Sequence, residues 1–211
     1  MKALLSSTYF GPVQWYQKLA RAEEVAIEQF DTYQKQTYRN RCLIATANGV
    51  QALTVPVEHE ADSSPSVDGT QPVAIRISDH GNWRHQHWQA LTSAYGDSPF
   101  FQYYVDDLRP FFTERWELLS DYNEAIRKKM CELLDIQPNV VFTQQYQDPK
   151  TVKNNGFIDY REAIRPKHPL SDDAFSPRRY YQVYEQRHGF LPNLSILDLL
   201  CNMGPESIFY L

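Results

Sequence analysis

The sequence predicts an α/β fold, with mixed α+β as the variant: a three-layer-like sheet, a β-hairpin over about 41–56 and a central helical block over about 84–135. Three observations predict it. The opening reads strand, helix, strand; an Asn-Gly pair lies between two strand-like runs; and apolar residues recur at helical spacing through the middle of the chain.

Residues 3–8 read as a short buried strand that breaks at Tyr9-Phe10-Gly11-Pro12. Proline suits the first turn of a helix, where its missing N–H would have no partner anyway. From Pro12 onward, Val13, Tyr16, Leu19 and Ala20 share one helical face. Residues 24–28 alternate, with Val25 and Ile27 on one side and Glu24, Ala26 and Glu28 on the other. That completes a parallel strand–helix–strand unit. Neither GxGxxG nor the P-loop pattern occurs, so the unit is no standard dinucleotide or nucleotide site, and no cofactor is called for.

Asn48-Gly49 predicts a type I′ turn, in which both central residues take positive φ. Such a loop sets Ile44 opposite Leu53 and Cys42 opposite Val55, giving the hairpin one apolar face. Residues 58–72 are rich in Glu, Asp, Ser, Pro and Gly and read as a mobile surface loop, with 72–77 returning as a strand. Helical spacing begins at His85. Ser98-Pro99 offers a cap and first-turn proline, and Phe100, Tyr104, Leu108 and Phe111 form a stripe. A second stripe runs through Leu119, Tyr122, Ile126, Met130 and Leu133. Val140-Val141-Phe142 reads as a late strand and 147–180 as a polar, irregular lid or binding loop. Ser195 to Asp198 has the pattern of a capping box before an apolar run that ends at Gly204-Pro205.

Composition excludes several classes. At 211 residues and 42% hydrophobic content the chain can bury a core, and one domain over 1–211 is expected. A net charge of −5 argues against a nucleic-acid partner, because phosphate neutralisation needs a basic surface. The three cysteines, Cys42, Cys131 and Cys201, show no metal-ligand spacing, so no metal is expected and a reducing compartment fits. The apolar start is too short for a signal peptide and nothing approaches a membrane helix, so a cytoplasmic protein is expected. Fourteen tyrosines suggest a tyrosine-lined cleft or interface in addition to a core.

Several blocks together resemble the WbqC-like family. They are Leu4-Leu5-Ser6-Ser7-Thr8-Tyr9-Phe10-Gly11-Pro12-Val13-Gln14; Tyr33 to Arg41; Leu53-Thr54-Val55-Pro56-Val57; Ser93-Ala94-Tyr95 leading into Pro99-Phe100-Phe101; and Leu194 to Leu200 with Asn202 and Gly204. The resemblance spans nearly the whole chain. It implies a role in making bacterial surface glycans, since the family takes its name from O-antigen gene clusters, and it carries over no catalytic residue.

Site candidates therefore rest on chemistry. The stretch around Gln34–Arg41 gathers Lys35, Arg39 and Arg41 with Gln36, Asn40 and Tyr38. Guanidinium forks and amide donors suit an anionic small molecule such as the phosphate or carboxylate of a nucleotide-sugar or acyl donor. The segment follows the carboxyl end of the second strand, where open α/β sheets bind ligands, with Ser6, Ser7, Thr8 and Glu28 near the same edge. The competing reading is a solvated basic turn paired with acids. His85 and His87 are two apart, so a helix points them about 200° apart. His87 is the candidate general base, against a plain helix-start histidine bonded to backbone. Asp121-Tyr122-Asn123 offers a carboxylate to a cleft, or simple solvent contact; no protein nucleophile is evident. The function expected is a cytoplasmic transferase placing an acyl or aminoacyl group on a nucleotide-activated amino sugar, with a non-catalytic binding or assembly protein of the same pathway as the rival.

Overall fold

The computed structural model describes residues 1–32, 34–58 and 74–211. Along them run β1 (Lys2–Ser6), α1 (Val13–Arg21), β2 (Glu24–Glu28), β3 (Arg41–Thr46), β4 (Gly49–Thr54), α2 (Trp83–Tyr95), α3 (Phe101–Leu108) and α4 (Pro110–Thr113). There follow α5 (Leu119–Leu133), β5 (Val140–Phe142), α6 (Pro149–Asn154), β6 (Phe157–Asp159), α7 (Glu185–His188), α8 (Ile196–Met203) and a closing 3-10 helix, Gly204–Tyr210. All of the expected surface loop at 58–72 but Glu58, and the first two residues of the strand at 72–77, lie outside the described residues.

The opening unit forms as its residues predict. β1 and β2 pair in parallel, with Ala3 opposite Val25 and Leu5 opposite Ile27. β5 adds to β2 and β6 to β1, both in parallel, so the sheet order is β5-β2-β1-β6. All four strands consequently end at one edge. β1 is apolar on both sides because both sides are covered. Ala3 and Leu5 join the main core with Trp15, Tyr16 and Leu19 of α1, while Leu4 and Ala26 pack with Val152 of α6.

Residues 147–180, expected to be irregular, supply α6 and the edge strand β6. Three residues are too few to show a period, and β6 is held in place by its pairing with β1. The hairpin exists but with a different register. Thr46 faces Gly49, Ile44 faces Gln51 and Cys42 faces Leu53, so the loop is Ala47-Asn48 and not Asn48-Gly49. The reason is local: Gly49 takes φ +102 while Asn48 keeps negative φ, as in a turn followed by a left-handed glycine. The register moved by two residues, an even number, so Cys42, Ile44, Leu53 and Val55 still reach the core.

In the helical block, α2 starts at Trp83, two residues before His85. Ser98 caps nothing ahead of it; its hydroxyl donates back to the Tyr95 carbonyl at 2.6 Å, and α3 buries Phe101 and Leu108. Phe100 is instead half-buried against Gly204, where an added Cβ would come 2.4 Å from its ring. α5 buries Leu119, Tyr122, Ile126 and Met130 as its stripe predicts. Ser195 does cap α8, accepting from the Leu197 N–H at 3.3 Å. Asp198 is no capping partner. Its buried carboxylate accepts from the Tyr95 hydroxyl at 3.0 Å, the Tyr180 hydroxyl at 2.7 Å and Gln182 Nε2 at 2.8 Å.

Candidate functional site at the carboxyl edge of the sheet

Where the parallel strands end, their following residues wall a cavity of about 570 Å³. Ser7 and Thr8 come from β1, Glu28, Gln29 and Asp31 from β2, and Phe142 from β5. The opposite wall is the start of α5, Leu118 to Arg127, together with Ala74 and Ile75. Backbone pairing aligns those two pieces: the Leu119 N–H donates to Ile75 and the Ile77 N–H to Glu117. This is the place at which open parallel sheets take ligands, and the volume suits a small molecule.

Its charges are largely matched. Glu28 accepts from the Phe30 N–H (2.9 Å), the Thr143 hydroxyl (2.9 Å), the Gln147 N–H (2.9 Å) and Arg161 Nη1 (3.2 Å). Arg161 also grips Asp159 through Nη2 at 2.7 Å. Arg39 pairs with Asp31 at 3.1 Å, and Arg127 donates to both oxygens of Glu124 at 2.7 and 2.6 Å. The Glu124 hydrogen bonds raise the Arg127 pKa further above its ordinary value. Both guanidiniums in the lining are thus held by carboxylates, and Asp121 adds an exposed carboxylate in the first turn of α5.

Two polar atoms stand apart. Asn123 Nδ2 donates to Ser7 Oγ at 3.2 Å and to the Arg39 carbonyl at 2.8 Å. A carbonyl can only accept, which fixes the amide orientation and leaves Asn123 Oδ1 buried with no partner among the described residues. Thr8 Oγ1 is buried and unpartnered as well. Buried polar groups nearly always find a partner, so each of these two atoms calls for a water or a ligand to complete it.

The predicted site residues divide between this cavity and elsewhere. Glu28 and Arg39 line it, as do Ser7, Thr8, Asp121 and Asn123. Lys35 and Gln36 are exposed, with Gln36 at φ +62. Asn40 donates to the Val55 carbonyl at 2.8 Å and Arg41 to Thr54 Oγ1 at 3.0 Å, both securing the hairpin. The three cations of this stretch therefore do not converge. His87 lies in the aromatic core, hydrogen-bonded to the Tyr9 hydroxyl at 2.9 Å and set against Trp83, away from the cavity lining. Burial lowers its pKa to about 4, so the imidazole is neutral at ordinary pH. Trp15, Glu124 and Arg127 were not singled out from sequence, although the three-residue spacing of Glu124 and Arg127 is that of a helical ion pair. No tyrosine lines this cavity among the described residues; Tyr9, Tyr16, Tyr95 and Tyr122 are core. Cys42, Cys131 and Cys201 are buried free thiols whose pKa values burial pushes up, Cys131 to about 11. Among the described residues no group of three or more His, Cys, Asp or Glu could hold a metal ion.

Fold and cavity together define an α/β protein with a cavity over the carboxyl edge of its parallel sheet, the candidate place for a small molecule. The chain belongs to the WbqC-like protein family, whose model matches residues 7–210. Membership points to a role in polysaccharide biosynthesis. The chain is 28% identical over 233 residues to the uncharacterized protein Rv1507c of Mycobacterium tuberculosis, covering 99% of this chain and 96% of that one. No solved structure matches it significantly. No helix among the described residues is long and apolar enough to cross a membrane.

Proposed function

We propose that the protein is a cytoplasmic enzyme of surface-polysaccharide biosynthesis that transfers an acyl or aminoacyl group to the amine of a nucleotide-activated amino sugar. The observation that carries the reading is the buried, unpartnered Asn123 Oδ1 in the cavity, an acceptor in want of an N–H or O–H donor. The lining holds four carboxylates, Glu28, Asp31, Asp121 and Glu124, against the two guanidiniums of Arg39 and Arg127, which favours the amine end of such a substrate over its phosphates. Trp15, Ile27, Ile75, Leu119 and Phe142 supply apolar walls.

In this reading Asn123 and Thr8 orient the sugar. The amine attacks the carbonyl carbon of an acyl thioester, its proton passes to Asp121, and the thiolate leaves with the bonding pair of the old acyl bond. Direct transfer between two bound substrates needs no protein nucleophile, in keeping with three cysteines held as buried thiols. Incubation of the purified protein with panels of nucleotide amino sugars and acyl thioesters, read by mass spectrometry, should reveal an acylated sugar nucleotide. Asp121→Asn should lower its rate of formation by about a hundredfold or more, the scale of a lost general base. A panel with neither product nor bound ligand removes the proposal. Binding without turnover favours the rival reading, a binding protein of the same pathway, which the carboxylate pairing of Arg39 and Arg127 also suits.

A further inference from the structure

We propose that the start of α2 carries a second site, separate from the carboxyl-edge cavity and independent of the function assigned there, for the phosphoryl group of a small molecule. A cavity of about 340 Å³ opens between the first turn of α2, the α3–α4 junction and the segment leading into α5. Arg84 and His85 reach it from α2, Arg109 from the junction and Arg115 from the segment before α5. Asp79 is the one carboxylate in its described lining. Three guanidinium charges less that of Asp79 leave two positive charges, the complement of a dianion, in a chain whose net charge is −5.

Arg84 is the centre of the argument. Its side chain is 14% exposed and its Nη1 donates to Asp79 Oδ1 at 2.7 Å. The guanidinium lies 4.5 Å from the Trp83 ring centroid, which fixes its plane. Its Nε and Nη2 are buried and have no partner among the described residues. These are two donors of one fork, and a turn of the side chain towards the cavity would let them meet two phosphoryl oxygens at once. Asp79 also lies 3.5 Å from Arg115, so one carboxylate aligns two arginines without satisfying either. The helix adds to this. α2 has 13 residues, and Asn82 at its head makes no side-chain cap, so the positive end of its dipole faces the same space.

Binding of inorganic phosphate, pyrophosphate and glucose 1-phosphate to the full chain can be followed by NMR at the Arg84 Nε–H and the His85 and Trp88 amides. Sodium chloride at matched ionic strength is the control. Saturable shifts at those signals are expected, and a tighter response to glucose 1-phosphate than to phosphate would mark a phosphorylated metabolite over the free ion. Arg109 and Arg115 are both exposed, so the double variant R109Q/R115Q should fold and bind at least about tenfold more weakly, the scale of one charge-assisted contact. Shifts no larger than those from chloride, shifts confined to other residues, or unchanged affinity in the double variant would each overturn the site.

Discussion

The two cavities dispose of their charges in opposite ways. At the carboxyl edge every arginine in the lining meets a carboxylate: Arg39 meets Asp31, and Arg127 meets Glu124. At the start of α2 the lining sets three arginines against one carboxylate, Asp79, which pairs with Arg84 and Arg115, and two buried donors of Arg84 are left over. The unpartnered atoms follow suit. They are oxygens, Asn123 Oδ1 and Thr8 Oγ1, in the first cavity and guanidinium nitrogens in the second. The difference teaches that cation density along a sequence is a poor guide to an anion site. What decides is whether a carboxylate lies within reach, and Asp31, eight positions before Arg39, was enough.

The contrast breaks most visibly at Arg161. Arg161→Met strands Glu28, whose side chain is 0% exposed, as an unpaired buried charge beneath the carboxyl-edge cavity. A stability loss of ~3–5 kcal/mol in urea unfolding is expected. Next in size is a pH effect on α2, whose two histidines face different surroundings. With a folded pKa of about 4 against an ordinary 6.5, His87 takes up its proton in the unfolded chain first. Its contribution is therefore whole above pH 6.5 and lost as pH falls towards 4. The difference between wild type and His87→Gln should span ~2–3 kcal/mol across that window in pH-dependent unfolding. Arg39→Ala sharpens the comparison: loss of its bond to Asp31 should cost ~1–2 kcal/mol yet leave phosphate affinity unchanged, because that guanidinium is already spoken for. The smallest stability effect belongs to Thr8→Val. Removing a buried hydroxyl that has no partner should leave stability level or raise it by up to ~1 kcal/mol in thermal unfolding, while weakening amino-sugar binding.

Much of the fold was legible because its signals are local. Val13, Tyr16 and Leu19 showed α1, the run from Leu119 to Met130 showed α5, and Ser195 showed the start of α8. β6 was not legible, since Phe157-Ile158-Asp159 is a strand only by virtue of β1 beside it. The hairpin register depended on which single residue took positive φ, a choice that Asn-Gly leaves open. The site divided along the same line. Glu28, Ser7 and Thr8 could be placed because a parallel opening fixes where strand ends lie. Arg127 and Glu124 could not, because they enter from a helix nearly a hundred residues later. His87 read as a base from its type alone, whereas its surroundings, Tyr9 and Trp83, come from distant and neighbouring turns that bury it.

The central claim is that a ligand over the sheet edge completes the buried, unpartnered Asn123 acceptor. Its side-chain amide gives a resolvable pair of NMR signals, so the chain can be titrated with a uridine-diphosphate amino sugar bearing a free amine. The account predicts saturable movement of that pair together with the Ser7 and Thr8 backbone signals, with the Ser7 and Thr8 movement abolished by Asn123→Leu in a protein that remains folded. An unmoved Asn123 amide at saturating ligand, or movement confined to residues away from the strand ends, would contradict it.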